Sequence, residues 1–201
     1  VKIILLDYGA GNVTSVARAL HRLGTDAQRS NSPEVIASAE AIILPGVGHY
    51  SALVRAFDQQ NLRAALVDAL HRGIPFLGIC LGLQALFKSS EEAPRLQGLN
   101  LLPGAVCALP STVKLPHMGW NQLAIRKESR LLAGIGTDSY FYFAQSFAVP
   151  DSAFAACASC THGTEFAAVI EHKNIHAVQF HPEKSGEAGA RVLHNFLGLA
   201  A

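Results

Sequence analysis

Pro75-Phe76-Leu77-Gly78-Ile79-Cys80-Leu81-Gly82-Leu83-Gln84 is the stretch on which the reading of this chain turns. Ile74–Ile79 is an apolar run bounded by turn residues and predicts a buried strand. Leu81–Phe87 predicts a helix directly after it. Between them stands Gly-x-Cys-x-Gly, the nucleophile-elbow pattern with cysteine in place of serine. Such a residue occupies a sharp, strained turn with backbone very close on both sides. Glycine at −2 and +2 removes the side chains that would clash there. The turn sets the sulfur at a helix start, where the dipole and free N–H groups favour a thiolate. The Leu81 N–H then points to where a substrate oxyanion forms.

Outward from Cys80, strands and helices alternate. Lys2–Leu6 predicts a buried strand that ends in Asp7-Tyr8-Gly9-Ala10-Gly11-Asn12, a tight turn. Residues 13–23 carry helical spacing through Val13, Val16, Ala17, Leu20 and Leu23, and Gly24 stops them. Asn12 sits where an N-cap belongs. Thr25–Arg29 predicts a strand. Ser32-Pro33 opens a short helix to about Ala39. Ala41–Leu44 predicts a third strand, closed by Pro45-Gly46-Val47-Gly48. Residues 51–71 predict two helical pieces meeting near Asn61. Beyond residue 95, short β-like runs near 101–109, 119–125, 139–149, 153–158, 165–170 and 175–180 precede a last helix at Glu187–Leu197. The expectation is a single α/β domain over 1–201: three layers, a mainly parallel central sheet flanked by helices, and an additional antiparallel region.

A cysteine nucleophile needs a base. Among nine histidines, His181 in Gln179-Phe180-His181-Pro182-Glu183 stands apart. It follows a predicted strand, at a strand end where parallel sheets carry their sites. In extended geometry Glu183 projects to the same side as His181, and Pro182 stiffens the pair. Glu183 then orients one imidazole nitrogen while the other faces Cys80. The two near-adjacent glycines of Pro45-Gly46-Val47-Gly48 let backbone approach a ligand closely and suit a second oxyanion donor.

Composition bounds the rest. The chain has 201 residues, 50% hydrophobic and 15% charged, with a net charge of +1. That length and hydrophobicity give a real core and exclude disorder. No basic stripe indicates nucleic acid. Residues 73–87 are uncharged but fall short of the ~18 apolar residues of a membrane span. Val1–Asp7 does not read as a signal peptide. The four cysteines then read as reduced, cytoplasmic thiols. Cys157-x-x-Cys160 has no second CxxC, and His162 and His172 miss zinc spacing, so these read as strand residues and no metal or cofactor is expected. His117 reads equally as a satisfied buried histidine or a functional one, and Trp120 equally as core.

PGVG, GICLGLQ and HPE, in that order, resemble the triad class of glutamine amidotransferases. The resemblance implies hydrolysis of the glutamine side-chain amide and transfer of ammonia to a synthase. It implies Cys80 as nucleophile through a glutamyl thioester, His181 as base and then acid, and Glu183 as its orienting group. It further implies Gln84 against the substrate, the Gly48 and Leu81 N–H groups as oxyanion hole, Val47 controlling that loop, and the Ser146–Phe147 backbone holding the α-carboxylate.

Asp7–Asn12, Pro116-His117-Met118-Gly119-Trp120-Asn121 and His181-Pro182-Glu183-Lys184-Ser185 are similar to the glutaminase subunits of imidazole glycerol phosphate synthase, of histidine biosynthesis. Their partner is a (β/α)₈ cyclase subunit that uses the ammonia to form imidazole glycerol phosphate and an aminoimidazole carboxamide ribotide. The resemblance maps the heterodimer interface onto Asn12, Trp120, Asn121, Tyr142 and Lys184. Gln145 stands where that family usually has His, and Phe147 where it has Tyr. A glutaminase always on wastes glutamine, so the oxyanion hole is expected to be completed by a turn of the Gly46–Gly48 loop once partner and ligand arrive. The rival readings are an amidotransferase subunit of pyridoxal phosphate or anthranilate synthesis, a cysteine hydrolase without a partner, and a non-catalytic regulatory subunit.

Overall fold

Ile3–Leu6 (β1) is buried at every position, as a central parallel strand must be. It pairs in parallel with Gln28–Ser30 (β2) on one side and Ala41–Gly46 (β3) on the other. The computed structural model describes residues 1–9 and 12–201, so Ala10 and Gly11 of the expected first turn lie outside the described residues. Phe76–Cys80 (β4) lies beside β3, and Ile175–Val178 (β13) beside β4, both in parallel. Thr164–His172 (β12), Ala156–His162 (β11) and Ala124–Ile125 (β8) extend the sheet antiparallel. The eight-stranded order is β2-β1-β3-β4-β13-β12-β11-β8. This is the expected three-layer α/β arrangement with an antiparallel addition.

Alternation along the strands divides the core. Ile4, Leu6, Ile42, Leu44 and Phe76 face one layer, with Ile36, Leu53, Phe57, Leu66 and Leu70 from Pro33–Ala37 (α2), Tyr50–Gln59 (α3) and Leu62–His71 (α4). Ile3, Leu5, Ile43, Leu77 and Ile79 face the other, with Val16, Leu20, Val192, Leu193 and Phe196 from Val13–Arg22 (α1) and Gly186–Ala200 (α6). The pieces α3 and α4 meet at Asn61, which adopts a left-handed φ of 57° and lets the chain turn between them. Two smaller sheets lie at the strand ends. Phe87–Ser90 (β5), Leu102–Ala108 (β6) and Phe147–Ala148 (β10) form one; His117–Gln122 (β7) and Tyr140–Gln145 (β9) form the other.

Three local expectations change. The helix after Cys80 covers Leu81–Gln84 (α5) and does not reach Phe87. The carbonyls of Ala85 and Leu86 accept from Leu99, Leu101 and Leu102 N–H, so no further helical turn forms and the chain leaves as β5. Pro182–Lys184 is a 3₁₀ turn, not extended chain, and proline's fixed φ suits its first position. The second strand begins at Gln28, later than Thr25.

Candidate active site

Cys80 ends β4 and precedes α5 with φ 54° and ψ −106°, a conformation that L-residues rarely adopt. The neighbouring glycines are required by contact. A Cβ on Gly78 meets the Gly82 carbonyl at 2.7 Å, and a Cβ on Gly82 meets the Leu44 carbonyl at 2.0 Å. Gly46 has the same need, because its Cβ falls 2.5 Å from that of Leu81. Its closeness therefore seats the loop on the elbow, leaving Val47 half-buried and Gly48 exposed with φ +93°.

His181 follows β13 and is 2% exposed. Its Nδ1 lies 2.9 Å from Glu183 Oε1, whose side chain is fully buried. The 3₁₀ turn thus joins the two side chains as an extended segment was expected to. His181 lines the same cleft as Cys80. Burial pushes the imidazole down, but the anionic Cys80 sulfur and the Glu183 carboxylate overcome it and hold His181 at about 10. The site therefore favours the protonated imidazole.

Cys80, His181, Val47, Gly48, Leu81, Gln84, Ser146, Phe147 and Lys184 line one cleft of about 410 Å³. The expected catalytic and substrate-binding residues are therefore brought together, and Glu183 supports them from behind. Gln84 is buried, and its Nε2 donates to the Phe147 carbonyl at 2.9 Å and to Gln179 Oε1 at 3.2 Å. Its amide nitrogen is thus committed to the protein.

Some features were not anticipated. Glu92 also lines the cleft, accepting from the Tyr50 N–H at 2.8 Å. In sequence it reads as one acid among polar loop neighbours. Gln179 is fully buried against Cys80. The Tyr8 hydroxyl is buried without a hydrogen-bond partner. Gln145 is buried at the cleft wall with both amide atoms unpartnered, opposite His117 in the β7–β9 register. His117 itself is buried and stacked on His162 and Phe143. Burial and the neighbouring His162 lower it to about 4.

The expected interface residues divide by place. Trp120 is 55% exposed, which removes the core reading, and packs edge-on to Tyr142. Lys184 Nζ lies 5.6 Å above the Tyr142 ring. Asn121 is further along β7, donating to the Thr161 carbonyl. Asn12 occupies the N-cap position of α1 but makes no side-chain cap. Its amide donates instead to Glu183 Oε1. Cys157 and Cys160 are buried strand residues with free thiols, and burial pushes Cys160 up to about 12. Among the described residues, no cluster of metal-ligating side chains occurs and no helix is long and apolar enough to cross a membrane.

Comparison with known proteins bears on this geometry. The glutamine amidotransferase class-I family matches residues 4–199. The chain belongs to that family. Within it, the chain is 47% identical over 197 residues to the imidazole glycerol phosphate synthase subunit HisH of Methanothermobacter thermautotrophicus, covering 98% of each chain. It is 45% identical to the HisH subunit of Moorella thermoacetica, covering 96% of this chain and 93% of the relative. At these identities this amidotransferase groups with the HisH subunits. The fold agrees with that of a glutamine amidotransferase crystal structure at TM-score 0.79 and 20% identity, with 98% of each chain covered. It also agrees with the glutaminase domain of Trypanosoma brucei CTPS with bound acivicin, at TM-score 0.70 and 17% identity, covering 100% of this chain and 93% of that one.

Proposed function

We propose that residues 1–201 form one glutaminase domain that hydrolyses L-glutamine through Cys80, His181 and Glu183 and delivers the ammonia to a cyclase subunit. The observation that carries this reading is the facing of two elements in one cleft: a cysteine on a positive-φ elbow, and a histidine held 2.9 Å from a buried carboxylate.

The chemistry follows from the protonation states. The Cys80 thiolate adds to the side-chain amide carbon of glutamine, and the carbonyl becomes an oxyanion. The N–H groups of Leu81 and of the Gly48 loop stabilise that charge. The His181 imidazolium gives its proton to the amide nitrogen as the C–N bond breaks. Ammonia leaves and a glutamyl thioester remains. Neutral His181 then takes a proton from water, the hydroxide adds to the thioester, and glutamate departs with regeneration of thiolate and imidazolium. Glu183 keeps the imidazole oriented throughout.

The amino-acid end of the substrate needs an anion and N–H donors. Glu92 is the carboxylate at the cleft wall suited to the α-ammonium. The Ser146–Phe147 backbone suits the α-carboxylate. Gln84 borders the same space through its remaining amide oxygen.

Free ammonia in bulk water is mostly protonated and no longer nucleophilic, so a dry route to the acceptor preserves it. The exposed Met118 and Trp120 and the half-buried Tyr142, with Lys184 reaching from the cleft, offer the docking face. An aromatic anchor with a cation beside it is the composition of an interface hot spot. The partner is a (β/α)₈ cyclase of histidine biosynthesis, in a cytoplasmic heterodimer, forming imidazole glycerol phosphate and an aminoimidazole carboxamide ribotide. Partner binding reorients the Gly46–Gly48 loop to complete the oxyanion hole. Glutamate release by the full chain with a cyclase subunit and its nucleotide, compared with Cys80→Ala, tests the reading. Loss of turnover in the variant supports it, and retained turnover rejects Cys80 as nucleophile.

A further inference from the structure

Gln179 has no part in the triad, yet it is the polar side chain packed against the nucleophile from inside the protein. It is fully buried just beyond β13, and its Nε2 lies 3.5 Å from Cys80 Sγ. Its Oε1 lies 3.2 Å from Gln84 Nε2. Which end of a glutamine amide faces which neighbour is decided by the hydrogen-bond network around it. Here the network has an unambiguous origin. The Phe147 carbonyl can only accept, so Gln84 presents its N–H₂ there, at 2.9 Å. The same N–H₂ group then donates to Gln179, which must present its carbonyl oxygen. The Gln179 N–H₂ is left facing the sulfur. Reversing Gln179 would set N–H₂ against N–H₂ at Gln84 and carbonyl against thiolate at Cys80. Two unfavourable contacts inside a buried site oppose that flip.

We propose that Gln179 is a positioning residue for the nucleophile: it donates a hydrogen bond of fixed polarity to Cys80 Sγ, which favours the thiolate and aims it into the cleft. A thiolate accepts hydrogen bonds better than a thiol, so a donor that cannot turn away stabilises the charged form. The role supplements α5, which is a single turn of four residues. It also links the substrate-carboxylate strand to the sulfur through Phe147, Gln84 and Gln179.

The inference rests on Cys80 being the nucleophile, and its test separates the two claims. The probe is iodoacetamide with the full-length chain and no glutamine, following carbamidomethylation of the Cys80 peptide by mass spectrometry across pH. Gln179→Met removes the donor at similar volume, and Gln84 keeps Phe147 as its acceptor. Gln179→Asn keeps the amide but shortens its reach by about one methylene. In both, the midpoint of the alkylation profile is expected to move up by about one pH unit, so that labelling below the midpoint slows about tenfold. Turnover with the cyclase falls about tenfold while KM for glutamine stays within about twofold. A wild-type midpoint in whichever variant folds, as judged by circular dichroism and Tm, overturns the role of Gln179. Retained glutaminase turnover in Cys80→Ala overturns the underlying reading instead.

Discussion

The side-chain amide of Asn12 and the imidazole of His181 converge on one oxygen, Glu183 Oε1, although Asn12 and Glu183 are 171 residues apart in sequence. A residue at the start of α1, mapped by resemblance to the partner face, therefore holds the carboxylate that orients the base. His181 is fixed from the other side as well. Its N–H donates to the Tyr142 carbonyl, while Ser185 Oγ accepts from the Tyr142 N–H and donates to the His181 carbonyl. The start of α1 and strand β9 thus meet at the triad, and movement at either reaches His181.

Asn12→Ala removes a hydrogen bond to a charged, buried group. Such bonds contribute about 1.5–3 kcal/mol. If roughly half of that is expressed at the transition state, turnover falls by about four- to tenfold. KM for glutamine should stay near wild type, because Asn12 does not touch the cleft. Steady-state kinetics with the cyclase present checks both numbers.

The charge state of His181 makes stability depend on pH with a definite sign. Its folded value of about 10 lies above the ordinary value of 6.5. Folding therefore favours the protonated form. This contribution is fully present below about pH 6.5 and is lost as pH rises through about 10. Chemical denaturation between those limits should show the decline. Cys80→Ala removes the anion that most raises His181, so the decline should be shallower in that variant.

Gly82→Ala tests the elbow. The new methyl meets the Leu44 carbonyl at 2.0 Å, and that carbonyl is backbone of β3 in the sheet core. The cost should be on the order of 3 kcal/mol or more, seen as a fall in Tm and in soluble yield. The exposed Gly24→Ala at φ +78°, with nothing within 4 Å, should cost less, since only backbone strain opposes it.

Glu92→Gln keeps the hydrogen bond to Tyr50 N–H and removes the charge offered to the substrate ammonium. Converting a charge-assisted contact to a neutral one should raise KM for glutamine by about tenfold or more, with a smaller change in kcat. An unchanged KM would remove Glu92 from the substrate site.

The elbow was legible in sequence because strain there restricts residue choice: Gly78 and Gly82 are dictated by backbone contacts their neighbours impose. The parallel strands were legible because β1, β3 and β4 are buried on both faces and read as unbroken apolar runs. What escaped was set by distant partners. The helix after Cys80 stops at Gln84 because N–H groups of Leu99, Leu101 and Leu102 claim the carbonyls of Ala85 and Leu86. Asn12 fits a cap by position, but its side chain turns to donate to Glu183 and makes no cap. Gln179 and Glu92 carry no local pattern, because their roles come from residues that the fold alone sets beside them. The reach from His181 to Glu183 was expected from extended geometry and arises through a 3₁₀ turn.

The most direct test of the account is glutamate release from glutamine by the isolated chain, then with a (β/α)₈ cyclase subunit and its nucleotide ligand. The account predicts near-zero release alone, a rise of about a hundredfold or more in the liganded complex, on the scale of a few kcal/mol of coupling, and none with Cys80→Ala. Full release by the chain alone, indifferent to the cyclase, would contradict it.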